Sequence, residues 1–192
     1  MMKRDACLKA LARRRTDEIV VSVYRAAFEW KVFAPSPLNY VAVGAMGLAS
    51  SHGLGLAIGR PDKRVWVLDG DGSLLMNLST LVTVANQAPK NLIHFVGENG
   101  VYEVNGSHPI PGYGKFNFAG MAREAGYRNA YEFSELQQFE RDIDGILKQD
   151  GPTFVTLKIE PGEEYPMDWP YVHGAPQRDL FRAALKPTNP RS

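Results

Sequence analysis

Two periodicities alternate along this chain. Short runs of strand character recur at 19–23, 38–43, 65–68, 92–96, 128–133 and 153–159, rich in the β-branched and aromatic residues that suit a pleated surface. Between them lie stretches with helical spacing. Residues 5–14 place Ala6, Leu8, Leu11 and Ala12 on one face, and 74–85 do the same with Leu74, Leu75, Leu78, Leu81, Val82 and Ala85. Further helices are predicted after Gly47, over 118–125, over 134–149 with Ser134 as N-cap, and over 177–185. Strands alternating with helices predict an α/β fold: a doubly wound, mainly parallel sheet of about six strands with helices on both faces.

The segment 64–104 organises this pattern. Its first strand ends in Gly70-Asp71-Gly72-Ser73 and its second in Glu98-Asn99-Gly100, with one helical pattern between. A right-handed parallel crossover brings both strand ends to the same sheet edge, where open α/β sheets bind ligands. Gly70 and Gly72 permit a sharp turn and close backbone approach. The following helix N-terminus offers free N–H groups that suit a diphosphate. Asp71 supplies a hard anionic oxygen and Asn99 a neutral one. With a backbone carbonyl just past Gly100 they suit Mg²⁺, which favours oxygen ligands including those of phosphates. The residue types thus describe a metal–diphosphate clamp.

Composition narrows the alternatives. The 192 residues fit one domain over 1–192, at 44% hydrophobic and 22% charged. A net charge of +1 gives no reason to expect nucleic acid or an anionic membrane as partner. The one cysteine, Cys7, excludes a disulfide framework and a cysteine-held metal cluster. No apolar run reaches bilayer-spanning length and no signal-peptide core follows Lys3-Arg4, so a cytoplasmic protein is expected.

Other features have two readings. Arg13-Arg14-Arg15 reads as a solvated helix cap. Arg25, just after the first strand, either faces an acidic substrate or sits on the surface. Gly53-x-Gly55-x-x-x-Gly59 mimics a dinucleotide fingerprint but lies inside a helical pattern, so packing glycines are expected. The glycine- and proline-rich stretch 100–114 reads as a loop over the site. Its His108 is a candidate acid/base or substrate-orienting residue, or a solvated one. His52 and His94 stand in apolar surroundings and are expected in the core. The aromatic tail from about 161 suits a protein interface.

Gly70-Asp71-Gly72 followed about thirty residues later by Asn99, with Gly44-Ala45-Met46-Gly47-Leu48-Ala49-Ser50-Ser51 before it, resembles the diphosphate-binding domain of thiamine-diphosphate enzymes. Within that family it resembles the sulfopyruvate decarboxylase β subunits and the matching half of the phosphonopyruvate decarboxylases. The resemblance implies thiamine diphosphate and Mg²⁺ as cofactors. It implies Asp71, Asn99 and the Val101 carbonyl as metal ligands, and Gly44, Met46, Gly70, Gly72, Ser73 and Tyr102 as further cofactor contacts. Met46 would prop the cofactor into its bent shape. The chemistry implied is decarboxylation of a small anionic 2-oxo acid to CO₂ and an aldehyde. Such enzymes need a second domain type whose Glu bonds the pyrimidine ring, so a separate α subunit is implied, as is association of this chain with itself. The turn at Val23-Tyr24-Arg25 and the stretch Val104-Asn105-Gly106-Ser107-His108 depart from the family's pattern, which is where substrate choice would differ. A carboligase subunit or a non-catalytic cofactor-binding module would share the same motifs. A 2-oxo-acid:ferredoxin oxidoreductase β subunit would need cluster cysteines that Cys7 alone cannot supply.

Overall fold

Apolar residues point to both sides of each central strand, so the sheet must be covered on both faces. In the strand Val65–Gly70, Val65 and Val67 enter one core and Trp66 and Leu68 the other, all of them buried. The structure, a computed structural model, describes residues 1–42, 46–160 and 165–186. In chain order it comprises β1 (Met2–Lys3), α1 (Arg4–Ala12), β2 (Ile19–Ser22), α2 (Tyr24–Phe33), β3 (Asn39–Val41), α3 (Ala49–Gly59), β4 (Val65–Gly70), α4 (Asp71–Leu75) and α5 (Thr80–Gln87). There follow β5 (Leu92–Glu98), β6 (Val101–Tyr102), β7 (His108–Pro109), α6 (Phe118–Ala125), β8 (Asn129–Phe133), α7 (Leu136–Ile146), β9 (Thr153–Glu160), α8 (Trp169–His173) and α9 (Ala175–Leu185).

The main sheet runs β1-β9-β5-β4-β2-β3, with β8 also paired to β9, and every pairing in it is parallel. Among the described residues it has seven strands rather than about six, because the two-residue β1 carries no periodicity for a sequence to display. One face packs on α3, α5, α6 and α9 through Leu54, Leu81, Phe118 and Phe181. The other packs on α1, α2 and α7 through Leu11, Trp30 and Phe139. The doubly wound α/β architecture is as expected. No described helix is long and apolar enough to cross a membrane.

Four local expectations are corrected. The helix predicted over 74–85 is two, α4 and α5, broken at 76–79. There Asn77 donates its amide to the Gly47 carbonyl (3.2 Å) and accepts from Ser79 Oγ (2.8 Å), side-chain bonds that compete with helix continuation. The break resets the helical phase and leaves Val82 61% exposed. Helix α7 starts after Glu135, not Ser134, and has no side-chain cap. In α3 only Gly53 is a packing glycine, seated against Val67; Gly55 faces open space, and so does Gly59. His52 is half-buried rather than in the core, its ring beside Tyr40.

The aromatic tail folds back on its own chain. Trp169 packs edge-on against Phe28 at 5.1 Å, Lys31 pairs with Asp168, and Phe181 lies 5.1 Å from Tyr40. Gln177 donates to the Asn39 carbonyl, so α9 covers the edge strand β3. Trp169 keeps 47% exposure.

The contrast within α3 is testable by chemical denaturation. Gly55→Ala removes backbone entropy from the unfolded chain without a clash and should stabilise by about 0.5–1 kcal/mol. Gly53→Ala drives a methyl into Val67 and should destabilise by about 1–3 kcal/mol.

Candidate functional site

The site is built where β4 and β5 end side by side. Their register pairs Gly70 with Gly97, so the residues that follow each strand emerge at the same edge. Asp71 opens α4 and is 2% exposed. Its Oδ1 accepts from the Gly72 N–H (2.8 Å), and its Oδ2 accepts from the N–H groups of Asn99 (3.0 Å) and Gly100 (2.7 Å). One carboxylate therefore ties the two strand ends together. Burial pushes its pKa up to about 6; the three N–H donors oppose this, and the nearby Glu98 charge adds to it. Among the described residues no side-chain cation pairs with it; backbone N–H groups alone hold it.

The backbone beyond Asn99 closes over this point. Gly100 adopts φ +79°, and a Cβ there would strike the Tyr113 ring at 2.9 Å. Asn99 Oδ1 accepts from the Val101 N–H (3.0 Å), turning the chain into the antiparallel β6–β7 hairpin. Tyr102 in that hairpin lies over Gly72, where a Cβ would meet its ring at 2.5 Å. Ser73 Oγ accepts from the Gly47 N–H (3.1 Å), which moors the turn after Met46 to α4. Helix α4 has five residues, so its N-terminus has fewer aligned peptides behind it than the long helix predicted.

An open cleft of about 530 Å³, counting the solvent space at its mouth, lies here, and Val23, Tyr24, Arg25 and Ile159 form part of its wall. Met46, Gly70, Asp71, Gly72, Ser73, Asn99, Val101 and Tyr102 all border it. Gly44 lies outside the described residues. His108 does not border the pocket: it is exposed on β7, paired with Tyr102 in the hairpin. Arg25 does border it. His94 is buried as expected, but it is bonded: its Nε2 is 3.2 Å from Asp69 Oδ2 and its Nδ1 is 3.5 Å from the Tyr127 hydroxyl. Asp69 Oδ1 in turn accepts from the Gly70 N–H (2.9 Å), steadying the turn from below.

A charged cluster beside the pocket was invisible in the sequence. Because β1 pairs with the last residues of β9, Arg4 is delivered to the functional edge. Arg4 donates to Glu29 (2.9 and 2.6 Å) and to Glu103 (2.5 Å), and Glu103 also accepts from Asn99 Nδ2 (3.2 Å). Burial works against the Arg4 charge, yet the two glutamates more than compensate and hold its pKa raised. Burial also raises Glu29. No local motif marks this grouping, since its members lie far apart along the chain.

The donor set fits a hard cation with a phosphate. Among the described residues no three His, Cys, Asp or Glu side chains form a metal cage. A cation beside Asp71 would therefore draw oxygens from ligand and water, as Mg²⁺ does. A Cβ on Gly70 would meet nothing within 4 Å, so the turn leaves room for a ligand.

Comparison with known proteins agrees with this geometry. Residues 21–157 match the family described as thiamine pyrophosphate enzyme, C-terminal TPP binding domain (thiamine pyrophosphate being thiamine diphosphate). The chain is 36% identical over 163 residues to the sulfopyruvate decarboxylase subunit beta of Methanothermobacter thermautotrophicus, covering 84% of each. It is 40% identical over 124 residues to the phosphonopyruvate decarboxylase of Streptomyces hygroscopicus, covering 65% of this chain but only 30% of that protein. The chain thus spans less than a third of the latter relative's length. In fold it superimposes on a putative thiamin diphosphate-dependent enzyme from Mycobacterium smegmatis with a TM-score of 0.69 at 21% identity, over 83% of this chain and 32% of that one.

The Asp71 environment makes cation binding pH-linked. In the ligand-free chain the folded pKa of about 6 lies above the ordinary 3.8. The stability contribution is therefore complete below about pH 4 and lost as pH rises through 6, on the order of 3 kcal/mol at most. Calorimetric titration with Mg²⁺ should show an affinity flat above about pH 7 that falls towards tenfold per pH unit below 6, as the proton competes for the carboxylate.

Proposed function

Since this chain belongs to the thiamine pyrophosphate enzyme family, as its C-terminal cofactor-binding domain, we propose that it is the cofactor-holding subunit of a heteromeric 2-oxo acid decarboxylase. The observation that carries the reading is the meeting of Asp71 and Asn99 at one pocket edge, where a buried carboxylate is held by three backbone N–H groups and its pKa is raised by burial. Asp71, the Asn99 amide oxygen and the Val101 carbonyl would hold Mg²⁺, a hard cation suited to such oxygens and to phosphate. When bound, thiamine diphosphate supplies the electron sink that lets a 2-oxo acid lose its carboxylate as CO₂. Met46 and Tyr102, whose ring lies over Gly72, would support the cofactor from the pocket wall.

The two relatives' names both specify an anionic 2-oxo acid, sulfopyruvate or phosphonopyruvate, and we extend that substrate class to this chain. The site needs a further carboxylate for the pyrimidine ring. Among the described lining residues the one glutamate, Glu103, is already bonded to Arg4 and Asn99. A partner α subunit is the proposed source, in keeping with the β-subunit relative, and the proposal includes self-association and a cytoplasmic location.

Co-expression with the pyrimidine-domain protein encoded nearest to this chain tests it, using CO₂ release from a panel of 2-oxo acids with thiamine diphosphate and Mg²⁺. Turnover should require both chains and fall at least about 10³-fold in Asp71→Ala, which removes the charged metal ligand. A complex that binds cofactor and releases no CO₂ would instead indicate a binding module. Condensed products in place of an aldehyde would indicate a carboligase.

A further inference from the structure

The cluster beside the pocket contains two arginines of unequal standing. Arg4 is saturated, with hydrogen bonds to Glu29 and Glu103. Arg25 is not. Its Nε lies 3.6 Å from Glu103 Oε1, an ion pair too long for a hydrogen bond, and that Nε is buried without a hydrogen-bond partner. A buried donor left in this state is costly. Glu103 does not depend on Arg25, because Arg4 and Asn99 Nδ2 already satisfy it. Of the cations among the described lining residues, Arg25 is the one that can leave its carboxylate without orphaning it.

The backbone is arranged to the same end. Tyr24, the residue before Arg25, sits at φ +45°, in the left-handed region a bulky side chain rarely enters. Such strain persists where surrounding structure over-determines it, and it clusters at ligand sites. Here it starts α2 at the pocket edge with Arg25 facing the ligand space.

We infer that Arg25 is a diphosphate-binding residue that rests against Glu103 in the ligand-free chain and transfers to a phosphate oxygen when the cofactor binds. This rests on the cofactor reading above and adds a ligand to it. The anion could be phosphate of the cofactor or the sulfonate or phosphonate of the substrate, since a guanidinium fork suits each. Position selects the cofactor. Glu103, the group Arg25 rests on, bonds Asn99 at 3.2 Å, so the guanidinium stands one side chain from the proposed metal ligands. A diphosphate carrying one Mg²⁺ keeps net negative charge and Asp71 adds more, so the metal end is where an uncommitted cation is needed.

The test is calorimetric binding of thiamine diphosphate and thiamine monophosphate, at saturating Mg²⁺, to the two-chain complex carrying wild-type, Arg25→Met or Arg25→Lys. Arg25→Met should weaken the diphosphate roughly 10- to 100-fold and the monophosphate less. Arg25→Lys should recover part of the loss. At saturating cofactor the substrate KM should stay within about twofold, a small change on the tenfold-per-1.4 kcal/mol scale. Unchanged diphosphate affinity in Arg25→Met together with a raised substrate KM would overturn the inference and give the anion site to the substrate. Equal weakening of both thiamine phosphates in Arg25→Met and Arg25→Lys, with a lowered melting temperature, would overturn it in favour of a structural role. If the wild-type complex failed to bind thiamine diphosphate, the cofactor reading itself would fall and this inference with it.

Discussion

The site depends on one carboxylate bonded to backbone rather than to a cation. Asp71 bridges the ends of β4 and β5 by accepting from Gly72, Asn99 and Gly100. Charge-assisted bonds to backbone N–H groups are strong and directional. They fix Asn99 relative to Asp71, although the strands alone would fix only the register Gly70–Gly97. They do not remove the cost of burying the charge, because burial still outweighs them and the pKa stays raised. The geometry of a cation site is therefore built in advance, at an energetic cost that a cation would offset.

Around this carboxylate each layer constrains the next. Asp69 holds the Gly70 N–H from below and is itself held by His94, which faces Tyr127 across the core. Burial and the Asp69 charge both raise the Tyr127 pKa, so its hydroxyl stays protonated. Ser73 and Asn77 reach sideways to Gly47 and anchor the turn that carries Met46. The interruption between α4 and α5 follows from this, since Asn77 spends its side chain on the Gly47 carbonyl. A helix is shortened so that two sequence-distant turns share a pocket wall.

What was legible in the sequence was whatever is local. Strands buried on two faces announce themselves as apolar runs, and Gly70-Asp71-Gly72 with Asn99 announces a ligand edge because the crossover rule places both strand ends together. The two-residue β1 was not legible, since it has no period. Arg4, Glu29 and Glu103 were missed for a related reason: their meeting is decided by the β1–β9 pairing and by α2, not by spacing. The break at 76–79 was hidden because its apolar residues continue the helical count while Asn77 and Ser79 are used elsewhere. His94 read as a core residue, which it is, but its bond to Asp69 is a cross-strand contact that no single segment displays.

The pattern of charges also bears on why such a site would be divided between chains. Asp71, Glu98, Glu103 and Glu29 already crowd this edge, and each is matched differently. Lys158 bonds Glu98 through both its oxygens, Arg4 bonds Glu29 and Glu103, and backbone alone serves Asp71. Another buried carboxylate with no fixed donor would raise the pKa of its neighbours and weaken the isolated fold, as Glu98 already does to Asp71. A catalytic glutamate that must exchange a proton cannot be locked in an ion pair. Supplying it from a partner chain, at the moment the pyrimidine ring is there to bond it, avoids holding that uncompensated charge in the free subunit. The division of labour proposed for this protein is in keeping with the same electrostatics that raise Asp71.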